Sequence, residues 1–213
     1  LEFENVPYEV LKFIENYKPI FPSPDINKIV QNRLLEKKFF SSLNIPTTKY
    51  KLIERKEDLE NEKVFFPGIL KSLTGGYDGH FSYKINNINE LKKMNIDFSK
   101  KYIFEKIVKL KKEISIIATR YQNKEINIFE PFENIHEHQI LKKTIIPANL
   151  SQKLIDQAKL YTTKILEKHN YIGTIAVEYF ISENENLLGN ETASRVHNSG
   201  HITIDASNSS QFD

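Results

Sequence analysis

TIAVEYFISENENLLGNET, Thr174 to Thr192, decides the fold. Two strand-like runs flank the turn-like Glu183–Asn186 segment and read as an antiparallel hairpin. A turn centred between Asn184 and Glu185 sets Glu178 directly opposite Glu191. Opposed residues on neighbouring strands sit roughly 4.5–5.5 Å apart at Cβ, where like charges repel. Glu178 shares its face with Ala176 and Phe180, which argues against simple exposure. Two facing carboxylates call for a cation between them. Oxygen donors of this kind suit Mg²⁺, with Asn190 adding a neutral oxygen beside Glu191. The competing reading is a slipped register that sends both carboxylates to solvent.

Upstream of the hairpin, Ser151 to Asn170 reads as a helix. Ser151 caps it, Leu154, Ala158, Tyr161 and Ile165 form its buried stripe, and His169 partners its C-terminal dipole. "EISIIATRY" and "EINIFEPFENI" read as strands joined by "QNK", and another strand runs from Ile140 to Ile145. Nearer the start, "TTKYKLI", "VFFPGILK", "FSYKI" and "KYIFEKIV" read as strands. Short helices are expected at Val6 to Tyr17, in "RKEDLEN" and near Ile88 to Met94. From Ser23 the chain reads as helical, with Ser23 as cap, Pro24 at the first position and Asp25 at the positive dipole end. Ile26, Val30 and Leu34 recur at i+4, as do Leu35, Phe39 and Leu43. Arg33 and Lys37 share a face, which on spacing alone reads as solvated surface. Strands followed by helices, with several hairpins, indicate an α+β fold of two lobes with antiparallel sheets and a cleft between them.

With 213 residues, 39% hydrophobic and including 14 Phe and 10 Tyr, the chain is long enough for a substantial core. Thirty basic and 28 acidic side chains are interspersed, leaving a formal charge of +2 and no electrostatic footprint for nucleic acid or a membrane surface. Having no cysteine, the chain has no disulfide, thiolate zinc site or cysteine nucleophile. It carries no signal peptide and no apolar run of membrane-spanning length, so a soluble cytoplasmic protein is expected. "LEFENVP" opens strand-like and "DASNSSQFD" closes without an evident terminating element, as in a segment of a longer chain.

A second stretch, "KSLTGGYDGHFSYK" from Lys71 to Lys84, places Gly75, Gly76 and Gly79 between two strands. It is not GxxxxGK[ST], which excludes a Walker-type loop. Bare backbone N–H groups in a strand-to-strand loop still form an anion nest, and Lys71 adds a point charge. The plainer alternative is a surface turn. Taken with the acidic hairpin and Arg33, the loop describes an ATP–magnesium site between lobes.

Six stretches, "QNRLLEKKFFSSLNIPT", "LKSLTGGYDGHF", "FEKIV...KEISIIATR", "FENIHEHQIL", "GTIAVEYF" and "NETASRVHNSGH", resemble 5-(carboxyamino)imidazole ribonucleotide synthases in order and spacing. These are ATP-grasp enzymes of purine biosynthesis, and the likeness runs through essentially the whole chain. The resemblance implies ATP as cofactor, with Mg²⁺ or Mn²⁺. It implies bicarbonate and 5-aminoimidazole ribonucleotide as substrates, carboxyphosphate as intermediate, and a possible homodimer. By motif position, Arg33 and Lys71 contact phosphates, Glu105, Lys106 and Val108 form the strand beside adenine, Glu113 takes the ribose hydroxyls, and His136 lies near the nucleotide. Glu178 and Glu191 are then the metal ligands, with Asn190 beside them. Tyr77 and Asp78 sit on the closing glycine loop. Arg195, His197 and Asn198 stabilise carboxyphosphate or orient the acceptor. The chain departs from the family pattern at His80 and Phe81, and at Thr192, Ser194 and Val196. The implied division is the end of a truncated N-terminal domain and linker (1–20), a first ATP-grasp part with the glycine-loop lobe (21–110), and a second lobe with the metal hairpin (111–213), the C-terminal domain being absent. Another ATP-grasp ligase or carboxylase, or a nucleotide-binding module without turnover, are the alternatives. The "HNSGH" pair is not on a helix and no HExxH occurs, so the histidines do not read as a zinc site.

Overall fold

The computed structural model describes residues 1, 3–60, 65–75, 82–138 and 140–213. Gly76, Tyr77, Asp78, Gly79, His80 and Phe81 lie outside the described residues. Helices α1 (Tyr8–Glu15), α2 (Pro24–Val30) and α3 (Arg33–Ser42) come first. The helix read from Ser23 onward is therefore broken at Gln31–Asn32. Asn32 causes the break: its side chain accepts from Leu34 N and Leu35 N, restarting the helix with a new N-cap. Ser23 and Ser151 do precede helices, but neither side chain makes a capping bond. The opening residues, expected to be strand-like, form a turn. The carbonyl of Glu4 accepts there from the Asn27 and Gln31 side chains.

A four-stranded antiparallel sheet follows, built from β1 (Tyr50–Ile53), β2 (Gly68–Ser72), β3 (Ser82–Ile85) and β4 (Tyr102–Lys106) in the order β1-β4-β2-β3. Helices α4 (Lys56–Glu60) and α5 (Ile88–Lys93) accompany it. Leu70 and Phe104 share one face and pack with Ile53, Leu59, Ile85, Leu91 and Tyr102. Alternation sends Ile69, Lys71 and Glu105 to the other face, with Ile69 paired to Glu105.

The larger antiparallel sheet contains β5 (Leu110–Arg120), β6 (Ile126–Ile128), β7 (Phe132–Glu137), β8 (Ile140–Ile145), β9 (Gly173–Ser182) and β10 (Leu187–Ala193). Its order is β10-β9-β5-β7-β8, with β6 also on β5. "EINIFEPFENI" is thus two strands, interrupted before Phe132. One face of the sheet is apolar: Ile114, Ile116, Val177, Tyr179 and Ile181 pack with Leu154, Ala158, Tyr161 and Ile165 of α6 (Gln152–Lys168). Ile26, Phe39 and Phe40 from α2 and α3 join this core, so those helices pack with the large sheet. His169 caps α6, but its ring lies against Phe39 at 5.2 Å and burial lowers its pKa, which corrects its expected role as a charged dipole partner.

A 3₁₀ helix (Asn198–Ile202) and α7 (Thr203–Ala206) complete the described fold. The closing residues are tied down, contrary to expectation. Gln211 accepts from His197 N at 2.9 Å and donates to His197 O at 2.8 Å. Among the described residues no helix is long and apolar enough to cross a membrane.

Candidate active site

The other face of the large sheet carries a small apolar cluster of Ile117, Phe132 and Ala176 and, beside it, a polar patch. Period-2 alternation places Glu113 and Ser115 of β5, Asn134 and His136 of β7, and Glu178 and Phe180 of β9 on that face. A cavity of about 760 Å³ separates it from Ile69, Lys71 and Ser82 of the small sheet. Arg33, Glu113, His136, Glu178, Asn190, Glu191, His197 and Asn198 all line it. The cleft expected between lobes is there.

Glu178 pairs with Glu191 across the hairpin, as the sequence indicates, but by a different route. Leu187, Leu188 and Gly189 pair with Ile181, Phe180 and Tyr179, one residue off the symmetric turn assumed above. A β-bulge at Asn190 then inserts one residue and restores the Glu178–Glu191 pair. Burial, followed by the Glu191 charge, pushes the Glu178 carboxyl up to about 8. Its side chain is only 13% exposed, and His197 Nε2 lies 3.5 Å from its Oε1. Burial, then the Arg195 charge, pushes His197 down to about 4, so at neutral pH the imidazole faces Glu178 uncharged.

His197 is fixed from behind. Its Nδ1 lies 2.9 Å from Ser199 Oγ, which meets Ser115 Oγ at 2.8 Å, and Asn134 Nδ2 donates to Ser115 Oγ at 3.0 Å. On the neighbouring strand, His136 Nδ1 lies 3.0 Å from Glu113 Oε2, and that carboxylate raises the His136 pKa.

Lys71 stands on the opposite wall, and the buried Lys37 shares its carboxylate partner. Lys71 Nζ donates to Glu105 Oε2 at 3.2 Å, and Lys37 Nζ lies 3.7 Å from Glu105 Oε1. Burial works against the Glu105 charge, yet Lys71 and Lys37 together hold its pKa below the ordinary value. Lys37 is only 1% exposed, which corrects the solvated-face reading of Arg33 and Lys37: α3 packs that face onto β10 and β4 rather than toward water. Arg33 Nη1 donates to Ser72 O at 2.8 Å, tying the start of α3 to the end of β2.

Of the other expected site residues, Lys106 and Val108 do not line this cavity. Lys106 is exposed, its backbone N–H bonded to Lys49 O, and Val108 is half-buried between the two sheets. Gly75, with φ of +75°, and Arg195 line a smaller cavity of about 220 Å³ that adjoins the first and shares Arg33, Glu178, Glu191, His197 and Asn198 with it. Glu4 lines this second cavity too, and Arg195 Nε lies 3.2 Å from its Oε1. Sequence reasoning missed Glu4, Glu36, Ser115, Ser199 and Gln211, because their partners are 14 to 191 positions away or in the loop behind His197. Only Lys37 carried a signal, its i+4 spacing from Arg33.

The donor set fits a hard divalent cation. Two carboxylates face each other, burial makes ionisation of Glu178 costly without a cation, and the Asn190 side chain beside them is an uncharged amide. Among the described residues no group of three or more His, Cys, Asp or Glu side chains is arranged to hold a metal. Phosphate and water oxygens would complete the shell of such a cation, the usual habit of Mg²⁺.

An ATP-grasp domain model matches residues 38–212. The chain is 36% identical over 215 residues to N5-carboxyaminoimidazole ribonucleotide synthase of Staphylococcus aureus, covering all of this chain and 57% of that protein. The solved structure of the Staphylococcus aureus N5-carboxyaminoimidazole synthetase complexed with ADP superposes with a TM-score of 0.92 at 36% identity, over 100% of this chain and 57% of that one. The Aspergillus clavatus enzyme in complex with ADP and 5-aminoimidazole ribonucleotide gives 0.89 at 25% identity, over 100% and 56%. The chain therefore spans a little over half the length of these relatives, and it belongs to the ATP-grasp family.

Proposed function

We propose that the chain is the ATP-grasp portion of an ATP-dependent carbon–nitrogen ligase that carboxylates 5-aminoimidazole ribonucleotide with bicarbonate, in the cytoplasm, within purine biosynthesis. One observation carries this reading: Glu178 and Glu191 face each other on one wall of a cleft whose other wall holds Lys71. The family, and the relatives with ADP and aminoimidazole ribonucleotide bound, support it.

Bicarbonate is a poor electrophile and is activated by phosphorylation: its oxygen attacks the γ-phosphorus of ATP and ADP leaves. The amine nitrogen of the ribonucleotide then attacks the carboxyl carbon of carboxyphosphate, phosphate leaves, and the nitrogen loses a proton. Lys71 and Arg33 hold the phosphates and offset charge on the transferring group. Glu178 and Glu191 would hold Mg²⁺ or Mn²⁺, which would supply charge neutralisation on the phosphate oxygens. His136 with Glu113 takes the nucleotide sugar side. His197, uncharged, and Asn198 orient the acceptor without repelling its protonated forms, and Arg195 faces the carboxyphosphate. Lys106 and Val108 border adenine through backbone groups. Tyr77 and Asp78, with Gly76 and Gly79, close over the reacting groups.

The reading is tested by measuring ADP release with and without bicarbonate and aminoimidazole ribonucleotide, in this chain and in one extended to the length of its relatives. Release stimulated by both substrates is expected. ATP binding without stimulation in either chain favours a nucleotide-binding module and overturns the ligase.

A further inference from the structure

β10 is an edge strand, so its outward backbone groups have no strand to pair with. Side chains and a loop cover them instead. Gly189 N donates to Pro46 O at 2.7 Å. Lys37 Nζ donates to Asn190 O at 3.1 Å, and Glu36 Oε1 accepts from Thr192 N at 2.6 Å. Glu36 and Lys37 are consecutive on α3, both are buried, and their two backbone partners flank Glu191 on either side.

The bulge at Asn190 gives this arrangement its meaning. Without it, the pairing of Leu187, Leu188 and Gly189 would continue and carry Glu191 opposite Val177, on the apolar face of β9. Edge pairing is where a register is least fixed, and here one slipped residue would separate the two carboxylates. Burying a carboxyl and an ammonium is costly, and an apolar pair would cover an edge equally well. What an apolar pair cannot supply is directional bonds to two specified backbone atoms. Lys37 also reaches Glu105, the partner of Lys71, so one side chain spans the two walls of the cleft.

We infer that Glu36 and Lys37 are positioning residues that clamp the β10 bulge, set Glu191 opposite Glu178, and so determine the affinity of that pair for a divalent cation. The inference rests on the metal-binding reading of the hairpin. The test measures Mn²⁺ binding by electron paramagnetic resonance in the presence of ADP, and ADP binding without metal. Glu36→Leu and Lys37→Met are expected to weaken Mn²⁺ by about 10- to 100-fold, as loss of outer-shell partners does, while metal-free ADP affinity holds in Glu36→Leu, which leaves the Lys37–Glu105–Lys71 contacts in place. Glu36→Gln and Lys37→Arg keep an acceptor and a donor at similar reach and are expected to retain Mn²⁺ affinity. A folded Leu or Met variant with unchanged Mn²⁺ affinity overturns the clamp. So does loss of Mn²⁺ in the folded Gln or Arg variants, which decide the matter even if the disruptive pair fails to fold. Glu191→Gln separates the two levels. If it leaves Mn²⁺ binding intact, the metal reading itself fails; if it abolishes binding while the clamp variants do not, only the clamp fails.

Discussion

Replacing Glu178 by Gln should make the metal-free protein more stable, and by an amount that grows with pH. Burial and the facing Glu191 raise the Glu178 carboxyl from 4.5 to about 8. The folded chain thus holds this proton more tightly than the unfolded chain does. The resulting contribution to stability is whole below about pH 4.5 and is lost as pH rises through about 8. Integrated from pH 5 to pH 8, the loss is about 3.5 kcal/mol. With Glu178 only 13% exposed, solvent screening trims this little. His197, lowered to about 4, pulls the wild-type profile the opposite way, since it resists protonation that the unfolded chain accepts. Comparing wild type with Glu178→Gln cancels that contribution. Urea unfolding from pH 5 to pH 8 in EDTA should show the stability difference widening in favour of Gln. A difference that stays constant across this range would refute the raised Glu178 carboxyl.

Three other substitutions probe the framework. Glu105→Gln leaves Lys37 buried without its carboxylate and should cost about 3–5 kcal/mol by thermal unfolding, with Glu105→Gln/Lys37→Met recovering much of the loss. A Cβ on Gly68 would overlap the Phe104 ring, so Gly68→Ala should cost about 1–3 kcal/mol in urea unfolding and weaken ADP binding by disturbing the strand that carries Lys71. Gln211→Leu removes both bonds to the His197 backbone and should lower substrate-stimulated ADP release more than ADP affinity, as read from steady-state kinetics beside equilibrium titration.

The strands and the acidic pair were legible because both depend on local alternation. Glu178 lies two residues from Ala176 and from Phe180, and a period of two assigns all three to one face without reference to distant chain. The bulge at Asn190 was not legible, since the residues that hold it come from α3, more than 150 positions earlier. The facing pair was reached because the assumed turn centre and the unseen bulge offset each other. Lys37 failed for a related reason: helical spacing reports a shared face but not whether β10 and Glu105 cover it. Asn32 was a missed local signal, its side chain being the cap that divides α2 from α3. For Arg33, Lys71, Glu113 and His136, spacing suggested at most a charge, and the family motif supplied the role.

How β9 tolerates its own site follows from the same alternation. Glu178 raises the free energy of the fold at neutral pH because its ionisation is opposed by burial and by Glu191. On the reverse face of that strand, Ile175, Val177, Tyr179 and Ile181 are buried in the large core. Full burial of such side chains is worth about 1.5–3 kcal/mol each. Even as an upper figure, the four together exceed the few kcal/mol set against them by the carboxylate. A strand can therefore carry a costly pair on one face as long as the other face stays packed, and the clamp from α3 needs only to fix the register. Stability and positioning are supplied by different residues, Tyr179 and its neighbours for the first, Glu36 and Lys37 for the second. That separation lets the strand carry its acidic pair without unfolding the hairpin that presents it.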